Sequence, residues 1–172
     1  MAKYPKIIEQ FSVQVEGFGI TKTIDEIKLP DFNEELYEHD SPNGITTYKI
    51  KTGRYESMEC EITTIEPPLL LFKKWGVNHN TDPIEILVTG SGRSDGSNPF
   101  PMSIKMKGDI IKKSLGSWKG KDIKKFTFTI DCKFVDLRVD GQEVFYYNDD
   151  LGVVRENGLD MTSIIARAIL EL

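Results

Sequence analysis

Few side chains in this 172-residue chain have types and spacings that could do chemistry: His39 and His79, Cys60 and Cys132, and the carboxylate pair Glu59 and Glu61. The histidines lie in polar, turn-like segments, and neither has a cysteine or second histidine at metal-ligand spacing. Both read as surface histidines, and no metal centre or cofactor is expected. So little histidine argues against a Ser–His–Asp or Cys–His site. Two cysteines are too few for a disulfide framework, and both sit inside apolar alternation, so they read as reduced core residues. Glu59 and Glu61 share one strand face, where paired carboxylates could do acid–base work, but no other residue pattern marks a cleft around them. The run Gly90-Ser91-Gly92-Arg93-Ser94-Asp95-Gly96 lacks the Gly-Lys-Ser/Thr ending of a phosphate-binding loop and reads as a mobile connection. The chemistry expected is therefore non-enzymatic, with no catalytic residue.

The elements that would position these residues are mostly strands. Met58, Cys60 and Ile62 alternate with Glu59, Glu61 and Thr63; Phe126, Phe128, Ile130, Cys132 and Phe134 alternate with Thr127, Thr129, Asp131 and Lys133. Period-two alternation predicts two strands with one apolar and one polar face each. Further strands are expected over 8–16, 21–29, 45–51, 84–88, 100–107 and 144–147, with turns at Gly17-Phe18-Gly19 and Asp140-Gly141. Residues 31–46 read as polar and turn-rich, 90–99 as a loop, and 112–124 as a lysine-rich connection. Glu66-Pro67-Pro68 opens a helix over 69–75, ended by Gly76. Residues 161–172 suit either a short amphipathic helix or an extended tail. The fold class expected is mainly β: one domain over 1–172, an antiparallel β-sandwich or open barrel with one packed α-helix.

No apolar run approaches the ~20 residues that span a bilayer, and residues 1–11 lack the apolar centre of a secretion signal. The expected product is cytosolic when made, with no membrane anchor. The net charge of −5 is segregated: residues 1–66 hold 13 acidic and 7 basic groups, whereas 100–134 hold nine lysines against Asp109, Asp122 and Asp131. Such a basic stretch suits a solvated sheet face, nucleic acid, or the acidic surface of another copy.

Six local patterns follow one another in a familiar order: Ile27-Lys28-Leu29-Pro30 with a polar segment closing near Asn43-Gly44; Gly53 before Ser57-Met58-Glu59; Lys74-Trp75-Gly76-Val77; a strand entering Lys107-Gly108; the run from Phe134 to Glu143; and Asn157-Gly158-Leu159-Asp160 followed by Arg167 and Leu172. In order and spacing, over nearly the whole chain, this resembles the major tail tube protein family of contractile-tailed phages, also found in phage-tail-like bacteriocins. The chain departs from the family in lacking an arginine on each side of Gly108 and in having less glycine over 37–44.

The resemblance implies two β-sheets with a flanking helix and no catalytic residues. It implies a hexameric ring, rings stacked into a hollow tube, a surrounding sheath, and baseplate and tail terminator proteins at the ends. DNA would pass through the lumen without specific binding, or an empty tube would puncture the target envelope. The particle would be a virion tail or tail-like particle assembled in the host cytoplasm. Contacts between rings fall to the segment containing Tyr37, Glu38, His39, Asp40, Asn43 and Gly44. A conduit must not grip phosphate, so the neutral or acidic face of Glu59, Glu61, Thr63, Thr127, Thr129 and Asp131 is expected to line the channel; the same face also suits the exterior. Alternative readings are the tube subunit of a bacterial contractile secretion system and a monomeric β-sandwich binding module.

Overall fold

The computed structural model describes residues 7–40, 42, 44–74, 83–93 and 98–161. Its elements, in chain order, are β1 (Ile7–Val15), β2 (Phe18–Gly19), a 3-10 turn at Thr21–Thr23, β3 (Ile24–Lys28), β4 (Glu34–Asp40), β5 (Thr47–Tyr55), β6 (Met58–Thr64), α1 (Leu69–Lys74), β7 (Ile84–Arg93), β8 (Phe100–Ser114), β9 (Phe126–Val139), β10 (Gln142–Asn148), β11 (Val153–Glu156) and β12 (Leu159–Asp160). Every strand pairing is antiparallel.

The long strand β9 organises the molecule. One edge pairs with β8, which leads through β7 to β1. The other edge is shared: residues 126–132 pair with β6, and residues 134–139 pair with β10. β3 continues outward from β6, and β11 and β12 continue from β10. The result is a mainly β, sandwich-like fold with no closed barrel among the described residues. Among the described residues β1 and β3 end their pathways as edges, except where the two-residue β2 covers the end of β1.

Alternation puts Met58, Cys60, Ile62, Phe126, Phe128, Ile130 and Cys132 into the core with Val13, Val15, Ile86 and Met106. Cys60 and Cys132 are free and buried. Burial is the chief cause that raises both thiols, Cys132 to about 12, which leaves them inert as nucleophiles. The short α1 covers one end of this core. Leu71 is buried, and Phe72 meets Phe126 and Phe128 edge to face with centroids 6.3 and 5.5 Å apart. The first helical bond, Phe72 N–H to Pro68 O at 3.1 Å, follows the two prolines. The expected stop at Gly76, His79 and the tail beyond Met161 lie outside the described residues.

Four sequence readings are corrected. Residues 34–40, read as part of a turn-rich segment, form β4 and pair with β5. Gly90–Arg93, read as loop, extends β7 and pairs with β1 and β8. Residues 112–114, read as connection, extend β8 against β9. Thr21–Thr23 is a 3-10 turn, so β3 starts at Ile24. In each case backbone pairing decides the conformation, and residue type alone carries little signal. The Asp140-Gly141 turn forms as read, with φ of 53° and 77°, the left-handed pair that a two-residue hairpin turn requires.

Gly108 has a different reason to be glycine. The β8–β9 register shifts between Lys107 and Gly108. A Cβ built there would sit 2.0 Å from the Asp131 carbonyl oxygen. Only hydrogen fits where the two backbones approach this closely.

Candidate assembly surfaces

The polar face of β6 and β9 is assembled as the alternation predicts. In register, Glu59 opposes Asp131, Glu61 opposes Thr129, and Thr63 opposes Thr127. The Thr63 and Thr127 hydroxyls lie 3.1 Å apart, and the Ser57 hydroxyl donates to Asp131 at 2.8 Å. These six residues therefore form one patch, backed by the core. Thr129 is the exception to its solvent exposure. It is 4% exposed, flanked in register by the longer Glu61 and Lys112. Asp109, opposite Asp131 in register, adds a fourth carboxylate, and the Lys133 ammonium binds Asp109 at 2.7 Å. Next to that carboxylate Lys133 is held above its ordinary range, chiefly by the hydrogen bond.

The second surface is the β4–β5 hairpin, which forms a sheet of its own with no third strand among the described residues. Leu36, Tyr37, Tyr48 and Ile50 remain 46–60% exposed, and Ile45 near the tip is fully exposed. Ion pairs Glu38–Lys49 (3.5 Å) and Glu34–Lys51 (3.0 Å) cross the strands, but exposed pairs contribute only about 0–1 kcal/mol. A lone hairpin is marginal in water. Of the sequence-predicted contact residues, Tyr37, Glu38, His39 and Asp40 lie on β4 and Gly44 near the tip; Asn43 lies outside the described residues.

The hairpin is anchored at its root. Phe32 stacks on Phe145 with centroids 4.3 Å apart, and Tyr55 meets Phe145 and Tyr147 edge-on at 5.5 and 6.4 Å. The Tyr55 hydroxyl donates to Glu156. Burial first, and then the carboxylate, raises the Tyr55 phenol well above its usual range. Beside this cluster runs an open groove of about 690 Å³, floored by Leu36, Tyr55 and Phe145 and bordered by Glu34, Glu56 and Glu156. Sequence reading missed this groove, because its walls come from β4, β5, β9, β10 and β11.

The third surface is the lysine-rich stretch. Lys105 and Lys107 both pair with Glu85 at 3.1 Å, and Lys125 pairs with Asp25 at 2.8 Å. Four of the nine lysines of this stretch, Lys133 included, thus meet a carboxylate, with Lys105 and Lys107 sharing one, so the surface keeps a basic excess. Lys112, Lys119 and Lys121 form no ion pair with a described residue. Among the described residues no group of three or more His, Cys, Asp or Glu could hold a metal ion. No helix among them is long and apolar enough to cross a membrane.

Fold and surfaces together define a β-sandwich subunit that carries a solvent-exposed hairpin and open sheet edges. The family model for the phage tail tube protein FII matches residues 5–170. The chain belongs to that family and is a structural subunit of a tail tube. No curated protein matches the sequence. Among solved structures, the fold is similar to a chain of an extracellular contractile injection system, in the PVC sheath/tube terminator in the extended state. The TM-score is 0.58 at 16% identity, over 80% of this chain and 99% of that one. A chain of the PVC sheath-tube complex in the extended state gives 0.59 at 15%, over 78% and 92%. A chain from the anti-feeding prophage tube terminating cap gives 0.59 at 13%, over 80% and 93%.

Proposed function

We propose that six copies of this subunit close into a ring, and that rings stack head to tail into a hollow tube inside a contractile sheath. The role is structural and the mechanism geometric, with no catalytic step. The observation that carries the reading is the β4–β5 hairpin. It exposes apolar side chains on an unsupported two-stranded sheet, and a neighbouring ring would cover them. The edges of β1 and β3, unpaired among the described residues over most of their length, would invite further pairing. Baseplate and terminator proteins would cap the ends, and assembly would take place in the host cytoplasm.

The lumen is assigned to the patch containing Glu59, Glu61, Thr63, Thr127 and Asp131, with Thr129 buried between them. Its carboxylates and hydroxyls would let DNA pass without retaining phosphate. Sedimentation over a concentration series tests the assembly: six-chain and larger species support it, and a monomer at every concentration, even with baseplate present, contradicts it.

A second reading keeps the tube and changes its cargo. The similarity to injection-system chains favours a tail-like particle whose tube carries no genome. Purified particles with or without packaged DNA separate the two.

A further inference from the structure

The connection between β8 and β9, residues 115–125, presents its largest apolar side chain to water. Trp118 is 69% exposed, and Ile123 in the same connection is 72% exposed. The loop is held by its own bonds. The Trp118 indole N–H donates to Leu115 O at 2.9 Å, and its ring meets Phe126 edge-on at 6.5 Å. The Lys124 ammonium donates to Lys119 O. The backbone of Gly116, at φ +69°, passes against the Lys125 carbonyl, where a Cβ would come within 2.5 Å. The indole is thus held in an exposed position on a loop that also carries Lys119 and Lys121, which form no ion pair with a described residue.

The groove at the root of the hairpin has the complementary character: apolar surface from Leu36, Tyr55 and Phe145, with Glu56 and Glu156 beside it; Glu34 also lines it, neutralised by Lys51 at 3.0 Å. The two features belong to different ends of the fourteen-residue β9. The loop leads into Phe126, whereas the groove wall includes Leu137. Complementary surfaces at opposite ends of one subunit make a heterologous contact, which repeats from copy to copy along an axis.

We propose that Trp118 of one copy, flanked by Lys119 and Lys121, seats in the carboxylate-bordered groove of the next copy along the tube. This rests on the stacked-tube reading above and names the contact that joins one ring to the next. Tryptophan suits the role: it combines a large apolar area with a polar edge and dominates many interfaces. The surrounding lysines and glutamates would set the register and reject a reversed partner.

The test is a cysteine pair, Lys119→Cys with Glu56→Cys, in one chain. The native thiols Cys60 and Cys132 are buried and do not compete. Mild oxidation of assembled tubes should give a ladder of disulfide-linked multimers on a non-reducing gel. Tubes that form and give no ladder overturn the proposal and leave the tube reading standing. Failure of the wild-type chain to form tubes overturns both. If the cysteine pair does not assemble, charge reversal decides. Lys119→Glu with Lys121→Glu should slow elongation at least tenfold, as should Glu56→Lys with Glu156→Lys. All four changes in one chain should restore it. Full-rate elongation by either pair alone, or no recovery with all four, overturns the proposal.

Discussion

The Tyr55 hydroxyl donates a hydrogen bond to a carboxylate oxygen of Glu156, 101 residues further along the chain. Tyr55 closes the hairpin strand β5, and Glu156 ends β11 in the main sheet. With no ladder bonds joining the two sheets among the described residues, this bond and the Phe32–Tyr55–Phe145 ring cluster hold the hairpin in place. Tyr55→Phe keeps the ring contacts and removes the bond. A hydrogen bond to a charged group contributes about 1.5–3 kcal/mol, with the lower end expected at this half-buried site. Amide exchange should accelerate in β4 and β5 and stay unchanged in β8 and β9. Equal acceleration everywhere would show that the bond supports the whole fold and has no special role at the hairpin.

Gly108→Ala should destabilise the subunit. The added methyl meets the Asp131 backbone at 2.0 Å, and neither strand can retreat without breaking its ladder. Overpacking of this kind costs about 1–3 kcal/mol. Gly120→Ala is the control, since nothing lies within 4 Å of a Cβ there. Urea melts of the two variants should differ by that amount. Equal midpoints would refute the close-approach account of the bulge.

Some of this was legible in the sequence and some was not. The alternation at 58–63 and 126–134 gave β6, β9 and the polar patch, because each strand buries only one face. The β4–β5 hairpin buries neither face, so Glu34–Asp40 carries no period for sequence to reveal. Gly90, Ser91 and Gly92 have low strand propensity, yet they pair with β1 and β8. Lys112 and Lys113 looked like connection because their neighbours across β9, Thr129 and Phe128, are known only once the register is. The groove depends on rings and carboxylates from four strands, which no local pattern could bring together.

Deleting Glu38–Gly44 should leave the sandwich folded, since the core residues all lie elsewhere. The shortened chain should keep the far-ultraviolet signature of a β protein and form no long tubes. Full-length tubes from the deletion variant would remove the hairpin from the contact between rings.

Replacing Glu59 and Glu61 with lysine should leave assembly intact and slow DNA release from a phage. Both glutamates lie on the polar side of β6, away from the core, so the fold should tolerate the change. A basic wall would bind phosphate, and each contact would add affinity. Unaltered release from normally assembled tails would place this patch away from the lumen.

The central claim is that this subunit builds a hollow tube from stacked rings. Cryo-electron microscopy of the purified protein, or of the particles that contain it, tests that most directly. The account predicts hollow tubes with sixfold cross-sections, a hairpin from each subunit reaching the adjacent ring, and the Glu59 and Glu61 face on the inner wall. Isolated monomers in every preparation, or a closed assembly with no axial channel, would contradict it.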